Sequence, residues 1–150
     1  MEKILVSACL VGDNTRYDGK NCKNNEIIKL NEKFDFILCC PEVQGGLKTP
    51  REPFEILNGK AVTLNGRDIT NNIEKGIAYY ENIIRFYDIK VAILKELSPS
   101  CGKNKIYDGT FRNRIVPGSG LFVKKLRELG VDVYTENELE EFKQNYVPQE

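Results

Sequence analysis

The chain has 150 residues, with 22 Lys and Arg balanced by 22 Asp and Glu. That is long enough for one domain with a real core, and the balanced charge, with no Lys/Arg-rich run, gives no strong signal for nucleic acid. No apolar stretch approaches the ~18 residues of a membrane span, and the first strand pattern starts at once, so no signal peptide, no membrane and a cytoplasmic, reducing setting are expected.

Residues 3–8 read as a first buried strand, followed by a polar loop from Cys9 to Lys23. Asn24 or Asn25 can cap a short helix ending near Asn31. Phe34 to Cys39 is a second strand, stopped by Pro41, which lacks a ladder N–H. Residues 41–53 are expected to be loop. Phe54–Leu57, Asn58-Gly59 and Lys60–Leu64 spell a β-hairpin on an Asn-Gly turn. Asp68 or Thr70 can cap a helix to about Tyr87, whose Ile73, Ile77, Tyr80, Ile84 and Tyr87 form one stripe at helical period. Val91–Lys95 is a third strand. Residues 96–120 read as one long loop, of a length that is usually functional or disordered. Ser119 can cap a helix to Leu129 with Gly130 as its stop. Residues 131–134 make a last strand and 137–144 a last helix, with 145–150 as a frayed tail. Strands alternating with helices predict a single α/β domain over 1–150. It is expected to have a mostly parallel sheet of Rossmann or flavodoxin-like type, helices on both faces and an inserted hairpin.

There is no histidine. Neither a Ser-His-Asp nor a Cys-His machine, nor a histidine-ligated zinc site, can be built from this chain. Five cysteines in a reducing setting read as metal ligands, catalytic groups or core residues rather than disulfides. Cys39, inside a strand run, and Cys22, in a polar loop, are assigned to packing. Cys9, Cys40 and Cys101 differ, because each begins a loop past a strand's carboxyl end, where parallel sheets place their ligand crevice. Three thiols from three such loops predict a shared site. Thiolates select zinc or iron–sulfur clusters. The C-x₂₋₄-C pairs usual in structural zinc sites are missing, so a site with one open coordination position is favoured, although spacing alone leaves the metal open.

Glu42, in the Cys40 loop, is a candidate general base toward water, against the alternative of an ordinary loop carboxylate. Ser98, before Cys101, can orient or protonate a substrate, or simply bond backbone in a turn. Tyr17-Asp18-Gly19 and Tyr107-Asp108-Gly109 echo each other and read either as two Asp-Gly turns or as a pair of loops lining the crevice. Arg16 and Arg51 can take an anion or a base edge. Gly118-Ser119-Gly120 is a weak acceptor-binding signal. Three rivals stand beside a cluster enzyme: a phosphatase-type C-x₅-R loop, a three-cysteine zinc hydrolase, and a non-enzymatic iron–sulfur carrier or redox sensor. The first is weakened because Cys9 to Arg16 is C-x₆-R and Asp13 puts a negative charge in the would-be anion cradle.

The motifs Ser7-Ala8-Cys9-Leu10-Val11-Gly12 with Arg16-Tyr17-Asp18-Gly19, Cys40-Pro41-Glu42-Val43-Gln44-Gly45-Gly46-Leu47, Thr49-Pro50-Arg51, Gly66-Arg67-Asp68, Lys95-Glu96, Ser98-Pro99-Ser100-Cys101-Gly102 and Tyr107-Asp108-Gly109-Thr110-Phe111 occur in the order in which they run in a known family. Over residues 3–140 the chain resembles the thiouracil desulfurase family. The resemblance implies a [4Fe-4S] cluster held by Cys9, Cys40 and Cys101, with Glu42 and Ser98 catalytic; Tyr17, Asp18, Arg51 and Asp108 are taken, from the residues themselves, as candidate substrate contacts. It implies a non-redox desulfuration: the sulfur of a thiolated nucleobase or nucleoside is replaced by the oxygen of water and leaves as hydrosulfide. Thr15 stands where many relatives carry a further cysteine, and Lys48 replaces a frequent proline. Without an added domain or basic excess, a free base or nucleoside is expected rather than tRNA.

Overall fold

The apolar runs read as strands assemble into a four-stranded, wholly parallel sheet in the computed structural model, which describes residues 1–148. The strands in chain order are β1 (Lys3–Ser7), β2 (Asp35–Cys39), β3 (Phe54–Leu57), β4 (Lys60–Thr63), β5 (Val91–Leu94), β6 (Lys105–Tyr107), β7 (Ile115–Pro117) and β8 (Asp132–Thr135). The helices are α1 (Asn25–Lys29), α2 (Pro41–Gln44), α3 (Thr70–Tyr87), α4 (Leu121–Glu128) and α5 (Leu139–Tyr146). The sheet order is β2-β1-β5-β8. All four side chains of β5 are buried, as expected of a parallel strand covered on both faces. Leu5, Ala92, Leu94 and Val133 pack on one face with the apolar stripes of α3 and α4. Ile4, Val6, Val91, Ile93 and Tyr134 pack on the other with Ile27 of α1 and Leu139 and Phe142 of α5. The fold is thus mixed α/β with helices on both faces. After β1 the chain adds β2 on one side, then returns to add β5 on the other. This reversal opens a crevice beyond the carboxyl ends of β1 and β5.

The first hairpin forms as read: β3 and β4 pair antiparallel around Asn58 (φ 52°) and Gly59 (φ 77°), the doubly left-handed pair of a type I′ turn. Asn24 caps α1 by accepting from the Ile27 N–H. Five readings are corrected. The 96–120 segment is not one loop but holds a second hairpin, β6–β7. Its strands of three residues are too short for an alternating signal. Residues 41–44 form the single turn α2, with Pro41 at its first position, where a missing N–H costs nothing. Ser119 does not cap α4, since its hydroxyl donates to the Lys103 carbonyl. Tyr87 leaves the α3 stripe and is 47% exposed. Finally, α5 runs through Tyr146, whose ring stacks on Phe142, and Asn145 donates to Tyr134 Oη. The segment from 145 is therefore helical at its start, and residues 149–150 lie outside the described residues. No helix among the described residues is long and apolar enough to cross a membrane.

Candidate active site

The ends of β1, β2 and β5 carry the three loop thiols. Cys9 lies in a 3₁₀ turn directly after β1. Cys40 follows β2 and leads into α2. Cys101 lies in the loop after β5. All three line one cavity of about 550 Å³. Burial pushes the Cys9 thiol up to about 12, and the neighbouring cysteines Cys22 and Cys40 add to it. Cys101 is also pushed up by burial and then by Cys40, and Cys40 by burial and then by Glu42. A metal binds thiolates, so binding one here would displace the thiol protons.

The Cys40 turn is held from behind by α3. Tyr80 Oη accepts from the Cys40 N–H at 3.2 Å. The two backbones touch at glycines: a Cβ on Gly76 would lie 2.0 Å from the Pro41 carbonyl oxygen, and one on Gly45 would lie 1.9 Å from that of Asn72. This close approach accounts for a glycine inside α3, where propensity alone disfavours it.

Glu42 projects from α2 with its side chain only 11% exposed. Its Oε1 accepts from Arg51 Nε at 3.2 Å and Nη2 at 2.9 Å, and its Oε2 accepts from Ser100 Oγ at 2.9 Å. Arg51 is held in turn by the Thr15 and Lys48 carbonyls and by Thr49 Oγ1. Its guanidinium is thus committed to Glu42 and its surrounding loops. Ser98 Oγ accepts from the Ser100 and Cys101 N–H groups and lies 3.1 Å from Ser100 Oγ. The turn role and the site role weighed for Ser98 therefore coexist.

The Cys101 loop is organised by Glu96, which is 4% exposed. Its Oε1 accepts from the N–H groups of Leu97, Lys103, Asn104 and Lys105, and its Oε2 from Asn104 Nδ2. This offsets the left-handed backbone at Leu97 (φ 67°), a conformation that costs a non-glycine residue about 1–2 kcal/mol. The N–H groups at the start of α4 are also occupied. Gly120, Leu121 and Phe122 donate to the carbonyls of Gly102, Pro99 and Ser100, so Gly118-Ser119-Gly120 supports the cysteine loop rather than offering donors to a ligand.

The cavity brings together Cys9, Cys40, Cys101, Glu42, Ser98, Arg51 and Tyr17. It does not include Asp18 or Asp108. Asp18 accepts from the Lys20 N–H and faces Arg16. Asp108 accepts from Thr110 and faces Arg114. Both carboxylates build their own turns. Cys39 is in the core, as read, but also reaches the cavity wall. Arg16 donates to Cys22 Sγ at 2.9 Å, so the Cys9 loop is not closed around an anion as a phosphatase loop would be. Ser100, Glu96 and Phe111 receive no site role from the sequence, although each lies in one of the motifs that carry the resemblance, which is the available signal.

The donor set can be tested against a metal. Among the described residues, no three Cys, Asp or Glu side chains converge as ligands of one ion. The three thiols instead stand around a shared volume, at the ends of three adjacent strands. That arrangement, all sulfur and without histidine, fits a multi-iron cluster better than a single zinc.

A parallel α/β sheet with a thiol-lined crevice at its reversal point, and a buried carboxylate beside the thiols, defines the class: an α/β protein with a candidate active site at its strand carboxyl ends. Residues 4–138 match the family model described as 2-thiouracil desulfurase, and the chain belongs to that family. It is 40% identical over 146 residues to the uncharacterised protein YbbK of Bacillus subtilis (strain 168), covering 91% of this chain and 97% of that one. It also superposes with a TM-score of 0.91 on a solved structure of the [4Fe-4S]-dependent thiouracil desulfidase TudS (DUF523Vcz), at 38% identity and 97% coverage of both chains.

Proposed function

We propose that this chain is an iron–sulfur-dependent desulfurase that converts a thiolated pyrimidine base to its oxo form and releases hydrosulfide. The observation that carries the reading is the juxtaposition, in one cavity, of three strand-end thiols with a buried, doubly held carboxylate. Cys9, Cys40 and Cys101 would hold a [4Fe-4S] cluster. Three protein ligands would leave one iron open, a Lewis-acid position with affinity for sulfur. The sheet order β2-β1-β5-β8 is the start of the flavodoxin-like order, which supports a doubly wound type with its ligand at the switch point.

The chain's own groups supply the rest. Glu42 accepts a proton from water as that water's oxygen bonds to the thiocarbonyl carbon. The water's second proton passes from oxygen to sulfur, the carbon–sulfur bond breaks, the sulfur leaves as hydrosulfide, and no electrons are exchanged. Arg51 fixes one carboxylate oxygen of Glu42, leaving Oε2 as the working one. Ser100 bonds that oxygen and connects it to Ser98, placing two hydroxyls between the base and the Cys101 loop. A carrier or sensor would have no use for this carboxylate–hydroxyl array.

The test is anaerobic reconstitution with iron and sulfide, zinc being counted in parallel, followed by 2-thiouracil turnover. About four irons per chain, as in the matched desulfidase, together with uracil and hydrosulfide in equal amounts, is the expected result. Four irons without turnover would favour the carrier, and zinc without iron would favour the hydrolase.

A further inference from the structure

The cavity has a second wall, built by the two hairpins rather than by the strand ends. Phe54, Glu55, Leu64, Tyr107 and Phe111 line it. Phe111 is the residue the fold does not account for. It is only half-buried. It packs in neither core cluster and pairs with no other ring among the described residues. Its backbone is left-handed, at φ 58°, which is a true outlier for a bulky side chain. Such a conformation persists only where the surroundings enforce it, and such strain clusters at functional sites.

The enforcement comes from Glu55 on β3. Its Oε1 accepts from the Gly109 N–H at 2.9 Å and the Phe111 N–H at 3.2 Å. Gly109 (φ 93°) is pressed so closely on β3 that a Cβ there would lie 2.7 Å from the Ile56 carbonyl oxygen. One hairpin therefore clamps the tip of the other, and the clamp sets an aromatic ring on the cavity wall.

We propose that Phe111 is the stacking surface for the pyrimidine ring, and that Glu55 is the positioning residue that holds it there. This rests on reading the cavity as a thiopyrimidine site. A planar base gains most from a flat aromatic partner and is held by stacking without base-specific hydrogen bonds. The wall thus selects a flat heterocycle, while the strand-end groups act on its thiocarbonyl.

The chain contains no tryptophan, so Phe111→Trp places a single fluorophore on this wall. Phe86→Trp, at an 80% exposed position on α3, is the control. In anaerobic holoenzyme, titration with uracil is expected to quench Phe111→Trp saturably and leave Phe86→Trp unchanged. Adding Glu55→Ala should weaken that titration about tenfold. Glu55→Gln keeps an acceptor oxygen and should restore it, which a merely structural loss would not do. In parallel, Phe111→Leu should raise KM for 2-thiouracil about tenfold with kcat little changed. A wild-type enzyme that desulfurates 2-thiouracil, beside a silent Phe111→Trp and an unaltered Phe111→Leu, would overturn the stacking wall and leave the reaction standing. Saturable quenching without desulfuration would support the wall and remove the reaction.

Discussion

Ser100 Oγ lies 2.9 Å from Oε2 of Glu42, a residue 58 positions earlier in the chain, and both groups are buried. The other carboxylate oxygen is held by Arg51. The proposed base therefore has one oxygen fixed by a guanidinium and one bonded to a hydroxyl that also faces Ser98. Glu42→Gln is expected to keep its iron and lose turnover by about 10²–10⁴, the range for a positioned general base. Ser100→Ala removes one hydrogen bond to a charged group, worth ~1.5–3 kcal/mol, so its kcat should fall by roughly tenfold or more with iron content unchanged. Wild-type kcat in Ser100→Ala would make that hydrogen bond incidental to the chemistry.

Cys9→Ser, Cys40→Ser and Cys101→Ser are each expected to lower reconstituted iron to background, because each removes one of the three proposed ligands. Cys22→Ser and Cys39→Ala are expected to keep the iron. Cys39 is the sharper control, since it reaches the same cavity from inside β2. Its loss should cost about 1 kcal/mol in packing without emptying the site. Iron analysis with urea denaturation separates the two effects, and iron lost from Cys39→Ala would redraw the ligand set.

What the sequence disclosed was what local pattern determines. Val91–Leu94 was legible because a strand buried on both faces is apolar throughout, and the β3–β4 hairpin because Asn-Gly dictates its turn. Cys9, Cys40 and Cys101 were legible as a trio because a parallel sheet gathers its strand ends. The partners that define the site were not. Asp18 and Asp108 turn back on their own loops, as the Asp-Gly pairs allowed, but nothing local says that Arg51 faces Glu42 rather than a ligand or that Glu96 gathers the 97–105 backbone. Those choices are made by side chains meeting across the crevice. The β6–β7 hairpin was hidden by its brevity, and its role in carrying Phe111 was hidden with it.

Gly76 gives a prediction whose sign is opposite to that of helix propensity. Alanine in place of glycine inside a helix ordinarily stabilises by ~1 kcal/mol. Here the new Cβ would lie 2.0 Å from the Pro41 carbonyl oxygen, which is backbone and cannot swing aside. Gly76→Ala should therefore destabilise by about 1–3 kcal/mol, as overpacking does. It should also reduce iron loading by pushing the Cys40-Pro41-Glu42 turn off α3. A raised urea midpoint with full iron would show that the α2–α3 contact yields easily.

Glu96 should impose an acid limit on stability. Burial alone would raise its pKa, but the Asn104 backbone and side chain, with the Leu97 and Lys103 N–H groups, outweigh that and hold it below the ordinary 4.5. A carboxyl depressed in the folded state contributes stability that is fully present above its unfolded pKa and lost as pH falls through the folded one. The contribution should be intact at neutral pH and decline below about pH 4.5. Glu96→Gln keeps one acceptor oxygen but sets an NH₂ donor against Asn104 Nδ2, itself a donor. It should cost about 1–3 kcal/mol at pH 7. Urea midpoints measured from pH 7 down to about pH 3 should show wild type and Glu96→Gln converging in acid. A gap that stays constant across that range would mean that the carboxylate's charge does not hold the Cys101 loop, and that shape alone does.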